Sequence, residues 1–156
     1  MIWNLVSIAA LALAGFADPQ GQGQAQPARL PPAAPDRISY IGSGNGWTGG
    51  RTEWWIDHSG RGEYRTTVGR KASGTFNSGP QGFERIREIL RPLEDVRELP
   101  CDGAVTDQGM GALSWRRGAH QTSLRFDFGC NFRRPDAARD MLNDADKLVR
   151  NWSAAR

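Results

Sequence analysis

Few residues in this sequence could carry out catalytic chemistry, and the two histidines come first among them. His58 and His120 are the only histidines of the chain, and histidine is the residue type that most often acts as a general base near neutral pH. Asp57-His58-Ser59 contains the residue types of a hydrolytic triad. A triad is assembled in space, however, and three consecutive residues of a turn point in divergent directions. We therefore interpret both histidines as solvated turn residues.

A pair of carboxylates is the second kind of catalytic centre that the sequence allows. Strand alternation places four acidic residues on one face of a predicted sheet, namely Glu53, Asp57, Glu63 and Asp127. Glycoside hydrolases hold two carboxylates about 5–10 Å apart, and the sequence does not fix that separation. Cross-strand ion pairs with Arg65 and Arg125 are the competing interpretation. A small hydrolase acting on cell-wall or glycan material is therefore the alternative function.

The sequence predicts neither a metal nor a cofactor. Cys101 and the distant Cys130 supply too few ligands at short spacing for a metal site, and Arg61 interrupts the acidic residues that a calcium loop would need. Gly44, Gly46 and Gly49 match the spacing G-x-G-x-x-G. A dinucleotide site requires a helix after these glycines, whereas a second strand pattern follows them here.

The first residues are typical of an export signal. Leu5 to Ala17 is an apolar run, shorter than the about 20 residues that span a bilayer. Gly15-Phe16-Ala17 offers the small residues of a cleavage site, and Ala12-Leu13-Ala14 is a second candidate. No Lys or Arg precedes the run, so the amino terminus supplies the charge or the true start lies upstream. We predict a signal peptide at 1–17 and a periplasmic or secreted protein without a transmembrane segment after cleavage.

Residues 18–36 are built from Pro, Gly, Gln and Ala with a single Leu. Such a segment buries too little apolar surface to offset its ordering entropy. We predict a disordered tether there and a single folded domain at 37–156.

Cys101 and Cys130 are the only cysteines of the chain. In an exported protein an isolated pair is most often a disulfide. Closing a loop of about 30 residues contributes roughly 3–4 kcal/mol in the chain-entropy model. We predict a disulfide between these two residues.

The order of predicted elements is strands, helix, strands, helix. The first helix opens at Ser78, which forms a capping box with Gln81, and it ends or kinks at Pro92. The second helix, Pro135 to Trp152, has apolar residues at helical spacing throughout. Strand patterns cover Ile38–Ile41, Thr52–Asp57, Glu63–Val68, Ala72–Phe76, Leu113–Trp115 and Thr122–Phe128. This order predicts an α+β fold, with a mostly antiparallel twisted sheet and both helices packed on one face.

Aromatic and arginine residues indicate where a ligand would bind. Alternation places Trp54 in the core with Trp115, and Trp55 on the opposite face. Aromatic residues and arginine dominate recognition surfaces. Our candidate binding residues are Trp47, Arg51, Trp55, Arg65 and Arg125. The competing interpretation is that Trp47 and Trp55 cover one end of the sheet.

The distribution of charged residues indicates which classes of partner the protein could bind. The chain has 20 basic and 17 acidic residues and a formal net charge of +3, but the two signs are interleaved. Clustered basic residues mark nucleic-acid binding, so we expect no nucleic-acid partner. An arginine-rich surface fits carboxylate or phosphate groups, although a GC-rich genome would give the same composition. We expect an envelope protein or a glycan or anionic ligand.

Two segments carry a resemblance: Trp55-Ile56-Asp57-His58-Ser59-Gly60-Arg61-Gly62 and Lys147-Leu148-Val149-Arg150-Asn151-Trp152. With the leader, the tether and the cysteine-bounded strand pair, this layout resembles uncharacterised exported bacterial domains. The resemblance implies no particular activity. The sequence therefore favours a small exported domain that binds a partner or inhibits an extracellular enzyme, and disfavours an enzyme.

Overall fold

The computed structural model describes residues 33–44, 49–99, 101–104, 108–132 and 135–154. The predicted signal peptide, residues 18–32 of the predicted tether and Trp47 lie outside the described residues. In chain order the elements are β1 (Arg37–Ser43), β2 (Arg51–Asp57), β3 (Arg61–Thr66), β4 (Ala72–Asn77), α1 (Gly79–Leu90), a 3₁₀ turn (Arg91–Leu93), β5 (Cys101–Ala104), β6 (Met110–Arg117), β7 (His120–Asp127), β8 (Cys130–Phe132) and α2 (Pro135–Ala154).

Six strands form one antiparallel sheet in the order β4-β3-β2-β1-β6-β7. The first four strands are a meander, and the β6–β7 hairpin then pairs with β1. This connection places the first strand of the chain in the middle of the sheet. The predicted α+β fold, with an antiparallel sheet and two helices on one face, is confirmed.

Alternate residues of each strand face the helices and build the core. Trp54 and Trp115 are 2% and 1% exposed, so both are core residues, as predicted. The helices contribute Phe83, Ile86, Leu90, Leu142, Ala145 and Val149 to the same cluster. We call the face of the sheet that packs on them the inner face.

A short two-stranded sheet lies outside the strand patterns that the sequence shows. β5 pairs with β8, and Cys101 is joined to Cys130 by a disulfide with a Cα–Cα distance of 5.4 Å. The predicted disulfide is confirmed. The sequence predicts neither strand, because short polar strands lack the alternation that reveals a longer strand.

The capping box predicted for α1 is wrong. Ser78 is the N-cap residue, but its side chain makes no capping hydrogen bond. Its hydroxyl donates instead to the Gly60 carbonyl at 3.2 Å, because the β2–β3 turn lies against the start of the helix. α1 ends before Pro92, as predicted. No helix within the described ranges is long and apolar enough to cross a bilayer.

The last residues of the predicted tether contact the sheet. Pro35 is buried, and the Asp36 amide donates to the Arg116 carbonyl at 2.7 Å. The Arg117 guanidinium donates to the Ala33 carbonyl at 2.6 Å and forms an ion pair with Glu94. The packed part of the chain therefore extends to Ala33.

Candidate functional site

The face of the six-stranded sheet that points away from both helices is the outer face. Its side chains alternate with those of the core, and on β3, β4 and β7 they are exposed. Strand register arranges the outer face in rows that cross the strands. The row through Trp55, which we call the middle row, reads Thr75, Glu63, Trp55, Ser39, Ser114 and Ser123 from β4 to β7.

Trp55 is the single aromatic residue of the middle row and is held from two sides. Its indole Nε1–H donates to Glu63 Oε2 at 3.2 Å. The Arg37 guanidinium carbon lies 4.0 Å from the centre of the indole ring, a cation–π contact. The Trp55 ring lines two neighbouring depressions of about 470 and 510 Å³. A fixed aromatic ring between two depressions is suited to contact a ligand.

Arg51 and Arg65, two of the predicted binding residues, are already paired. Both form ion pairs with Glu53, at 2.9 Å and 3.4 Å. Glu53 and Arg65 lie directly opposite each other on β2 and β3, which favours the pair. The two arginines therefore share the single negative charge of Glu53.

Asp57 ends β2 and stabilises the turn that follows. Its Oδ1 accepts the Ser59 amide at 2.9 Å and the Arg61 amide at 3.2 Å, and it also accepts the Ser59 hydroxyl. Burial acts to raise the pKa of Asp57, but these hydrogen bonds and the Arg61 charge outweigh it and hold the pKa below its ordinary value. The Asp-His-Ser-Gly stretch is therefore a turn, and His58 is exposed within it.

Arg125 lies on the same face but at the far side of the sheet. It occupies β7, four strands from Arg65, or about 19 Å at the usual strand spacing. There it lines an apolar groove of about 520 Å³ that Glu98 and Asp127 also line. Ile41 and Met110 are exposed in this groove, at 41% and 68%. Of the predicted residues, Trp55 and Arg65 line one depression, Arg51 shares the Glu53 ion pair with Arg65, and Arg125 lies apart from these three.

Two further arginines of the outer face were not among the predicted binding residues. Arg37 contacts the Trp55 ring, and Arg116 lies one strand further from Trp55. Arg37 on β1 is directly opposite Arg116 on β6. Among the described residues, neither forms an ion pair with a carboxylate. Strand alternation could have placed each on the outer face, but only the pairing of β1 with β6 makes them neighbours.

The acidic residues of the outer face include one pair in a common depression. Glu53 and Glu63 both line the 470 Å³ depression beside Trp55. Both already have partners, since Glu53 pairs with Arg51 and Arg65 and Glu63 accepts the Trp55 N–H. Neither histidine lines this depression.

A second polar group lies on the inner face, beneath α2. Burial, together with the nearby Asp146 and Tyr64, raises the pKa of Tyr40 to about 12, against the opposing charge of Arg150. Arg150 forms an ion pair with Asp146 on the same helix. Tyr40 therefore stays neutral at physiological pH, and its ring stacks on Trp54 in the core with centroids 5.4 Å apart.

Within the part of the chain that the structure describes, no group of three His, Cys, Asp or Glu residues could hold a metal ion. The chain matches no protein-family model and no curated protein at a significant level.

Proposed function

We propose that this chain is an exported, non-catalytic binding module, of the adaptor or inhibitor type, whose outer face holds its ligand at Trp55. The observation that carries the proposal is the position of Trp55 between two depressions, on a sheet face that neither α1 nor α2 covers. The two helices bury the apolar side chains of the inner face. The other side is therefore free to present side chains for recognition.

The contacts of Trp55 support recognition rather than a purely structural role. The hydrogen bond to Glu63 and the stack on Arg37 hold the ring in one orientation. A side chain that is fixed before binding loses little conformational entropy when the ligand arrives. The ring face that Arg37 leaves uncovered would bind a sugar ring or a partner side chain through apolar contact.

The Cys101–Cys130 disulfide supports export, because disulfides persist in oxidising compartments. Fractionation of the producing cells followed by N-terminal sequencing tests this part of the proposal. We expect the mature protein in the periplasm or the medium, with an N-terminus near Asp18. Protein that retains Met1 and remains in the cytosol would contradict it.

The alternative function is a hydrolase of envelope glycans, and Glu53 with Glu63 is the observation in its favour. Both carboxylates already have partners, however, since Glu53 pairs with two arginines and Glu63 accepts the Trp55 N–H. Incubating the protein with murein and with soluble envelope glycans distinguishes the two functions. We expect no new reducing ends, and release that disappears in Glu53→Gln or Glu63→Gln would establish the hydrolase instead.

Binding to isolated envelope material tests the proposed function directly. Murein sacculi and membranes are incubated separately with the protein, and the bound fraction is measured by sedimentation. We expect the wild type to bind one of the two fractions, and Trp55→Ala to weaken that binding about tenfold, the size typical of a central aromatic contact.

Met110→Ala is the matched control for this experiment. Met110 is an exposed apolar side chain of the same face, but it lines the other groove. Its loss should leave binding unchanged. Equal losses in both variants would point to non-specific apolar adsorption and would overturn the proposal.

A further inference from the structure

We propose that Arg37 and Arg116 form an anion site on the outer face, which holds the carboxylate of an acidic glycan beside Trp55. This inference rests on the proposed function, because it names the ligand class of the same surface. Trp55 alone does not specify the chemistry of the ligand. The two arginines add a requirement for a carboxylate.

The first observation is a like-charge pair within the sheet. Arg37 and Arg116 are directly opposite each other on β1 and β6. Like charges in directly opposed positions destabilise a sheet. Among the described residues no carboxylate forms an ion pair with either of them. An anion bound between the two guanidinium groups would remove this repulsion.

The second observation is the orientation of the Arg37 side chain. Its guanidinium carbon lies 4.0 Å from the centre of the Trp55 ring. This cation–π contact holds the side chain over the ring. The Arg37 Nε is buried without a hydrogen-bond partner, so a ligand can reach only the terminal amino groups of the guanidinium. Among the described residues no carboxylate pairs with these groups, which leaves them open to a bidentate carboxylate contact.

The acidic neighbour of Arg37 does not neutralise it. Asp57 is opposite Arg37 on the β2 side, but its carboxylate accepts hydrogen bonds from the Ser59 and Arg61 amides. The only ion pair that Asp57 forms among the described residues is with Arg61, at 3.8 Å. The charge of Arg37 therefore remains available.

The surroundings favour a glycan over an acidic peptide. Next to the two arginines the middle row presents three serines, Ser39, Ser114 and Ser123, of which the last two share a hydrogen bond at 2.8 Å. β1 and β6 are both paired on each side, so a peptide cannot add to them as a strand, the usual way a sheet binds a peptide. A flat surface of hydroxyl groups beside an aromatic ring fits a sugar chain.

A short oligogalacturonate and its methyl ester test the anion site, because the two share a sugar backbone and differ in the carboxylates. Binding to the full chain is measured by calorimetry at low and at moderate salt. We expect the acid to bind, the ester to bind at least tenfold more weakly, and added salt to weaken only the acid. Arg116→Gln should weaken binding of the acid about tenfold, as the loss of one charge-assisted contact does. It should leave binding of the ester unchanged.

Arg125→Gln is the matched control, since it removes the same charge from the same face. Arg125 lies two rows from Arg116, about 13 Å along the strands. If Arg116→Gln and Arg125→Gln weaken binding of the acid equally, the attraction comes from the overall positive charge and the proposed site is wrong. Polyglutamate that binds as tightly as the acid would lead to the same conclusion. Failure of both oligomers to bind would overturn the ligand class. If acid and ester bind equally and Trp55→Ala weakens both, the anion site is wrong while the proposed function stands.

Discussion

Both halves of the outer face carry arginines, but among the described residues only in one half do these arginines form ion pairs with carboxylates. In the half formed by β2, β3 and β4, every outer-face arginine forms an ion pair with Glu53 or Asp57, namely Arg51, Arg61 and Arg65. In the half formed by β1, β6 and β7, the outer-face arginines form no ion pair with any residue that the structure describes, namely Arg37, Arg116 and Arg125.

The difference comes from strand register. On β2 and β3 the register sets Glu53 against Arg65, whereas on β1 and β6 it sets Arg37 against Arg116. Opposite charges in opposed positions stabilise a sheet and like charges destabilise it. The register of the first half therefore favours stability, and that of the second half places two like charges opposite each other. Trp55 lies at the boundary between the two halves.

The largest expected effect separates the core from the outer face. Trp54→Ala should lower the free energy of unfolding by about 3–5 kcal/mol, because it leaves a cavity in the core. Trp55→Ala should lower it by only about 1 kcal/mol, for the lost cation–π contact and partial burial. Denaturant unfolding measures both values. A loss of several kcal/mol in Trp55→Ala would make Trp55 a structural residue and remove the basis of the proposed function.

Removing one charge from each half should change the free energy of unfolding by a smaller amount and in opposite directions. Arg116→Thr should raise the free energy of unfolding by about 0.5 kcal/mol, because it removes a like-charge pair and adds a residue that favours strands. Glu53→Gln should lower it by about 0.5 kcal/mol, because it breaks two exposed ion pairs. Arg116→Lys, which keeps the charge, is the control and should give no gain. Destabilisation by Arg116→Thr would show that the two halves do not differ in this way.

The smallest effect depends on pH and concerns Asp57. Its pKa is lower in the folded chain than the ordinary value of 3.8. The ionised carboxylate therefore stabilises the fold above pH 3.8, and this contribution disappears as the pH falls through the lower, folded-state pKa. Asp57→Asn should be less stable than the wild type at pH 7, and the gap should close on acidification. Unfolding measured at both ends of this range checks it, and a gap that stays constant with pH would assign the effect to packing.

Much of the fold could be predicted because its signals are local. The alternation of Trp54 with Trp55, and of the apolar with the polar residues of β7, assigns each side chain to a face. The helical spacing of the apolar residues in α2 predicts which side of that helix faces the core. β5 and β8 could not be predicted, because strands of 4 and 3 residues are too short for a pattern to emerge. They are paired with each other through contacts between segments distant in the sequence.

Strand alternation predicts that Trp55, Arg65 and Arg125 share one face, because side-chain direction alternates with every residue of a strand. It does not predict which residues are neighbours on that face, because this depends on how the strands pair. The pairing of β1 with β6 sets Arg37 opposite Arg116, and Arg37 contacts the Trp55 ring. Strand order depends on the packing of the whole core, so it cannot be read from the spacing of residues within one strand.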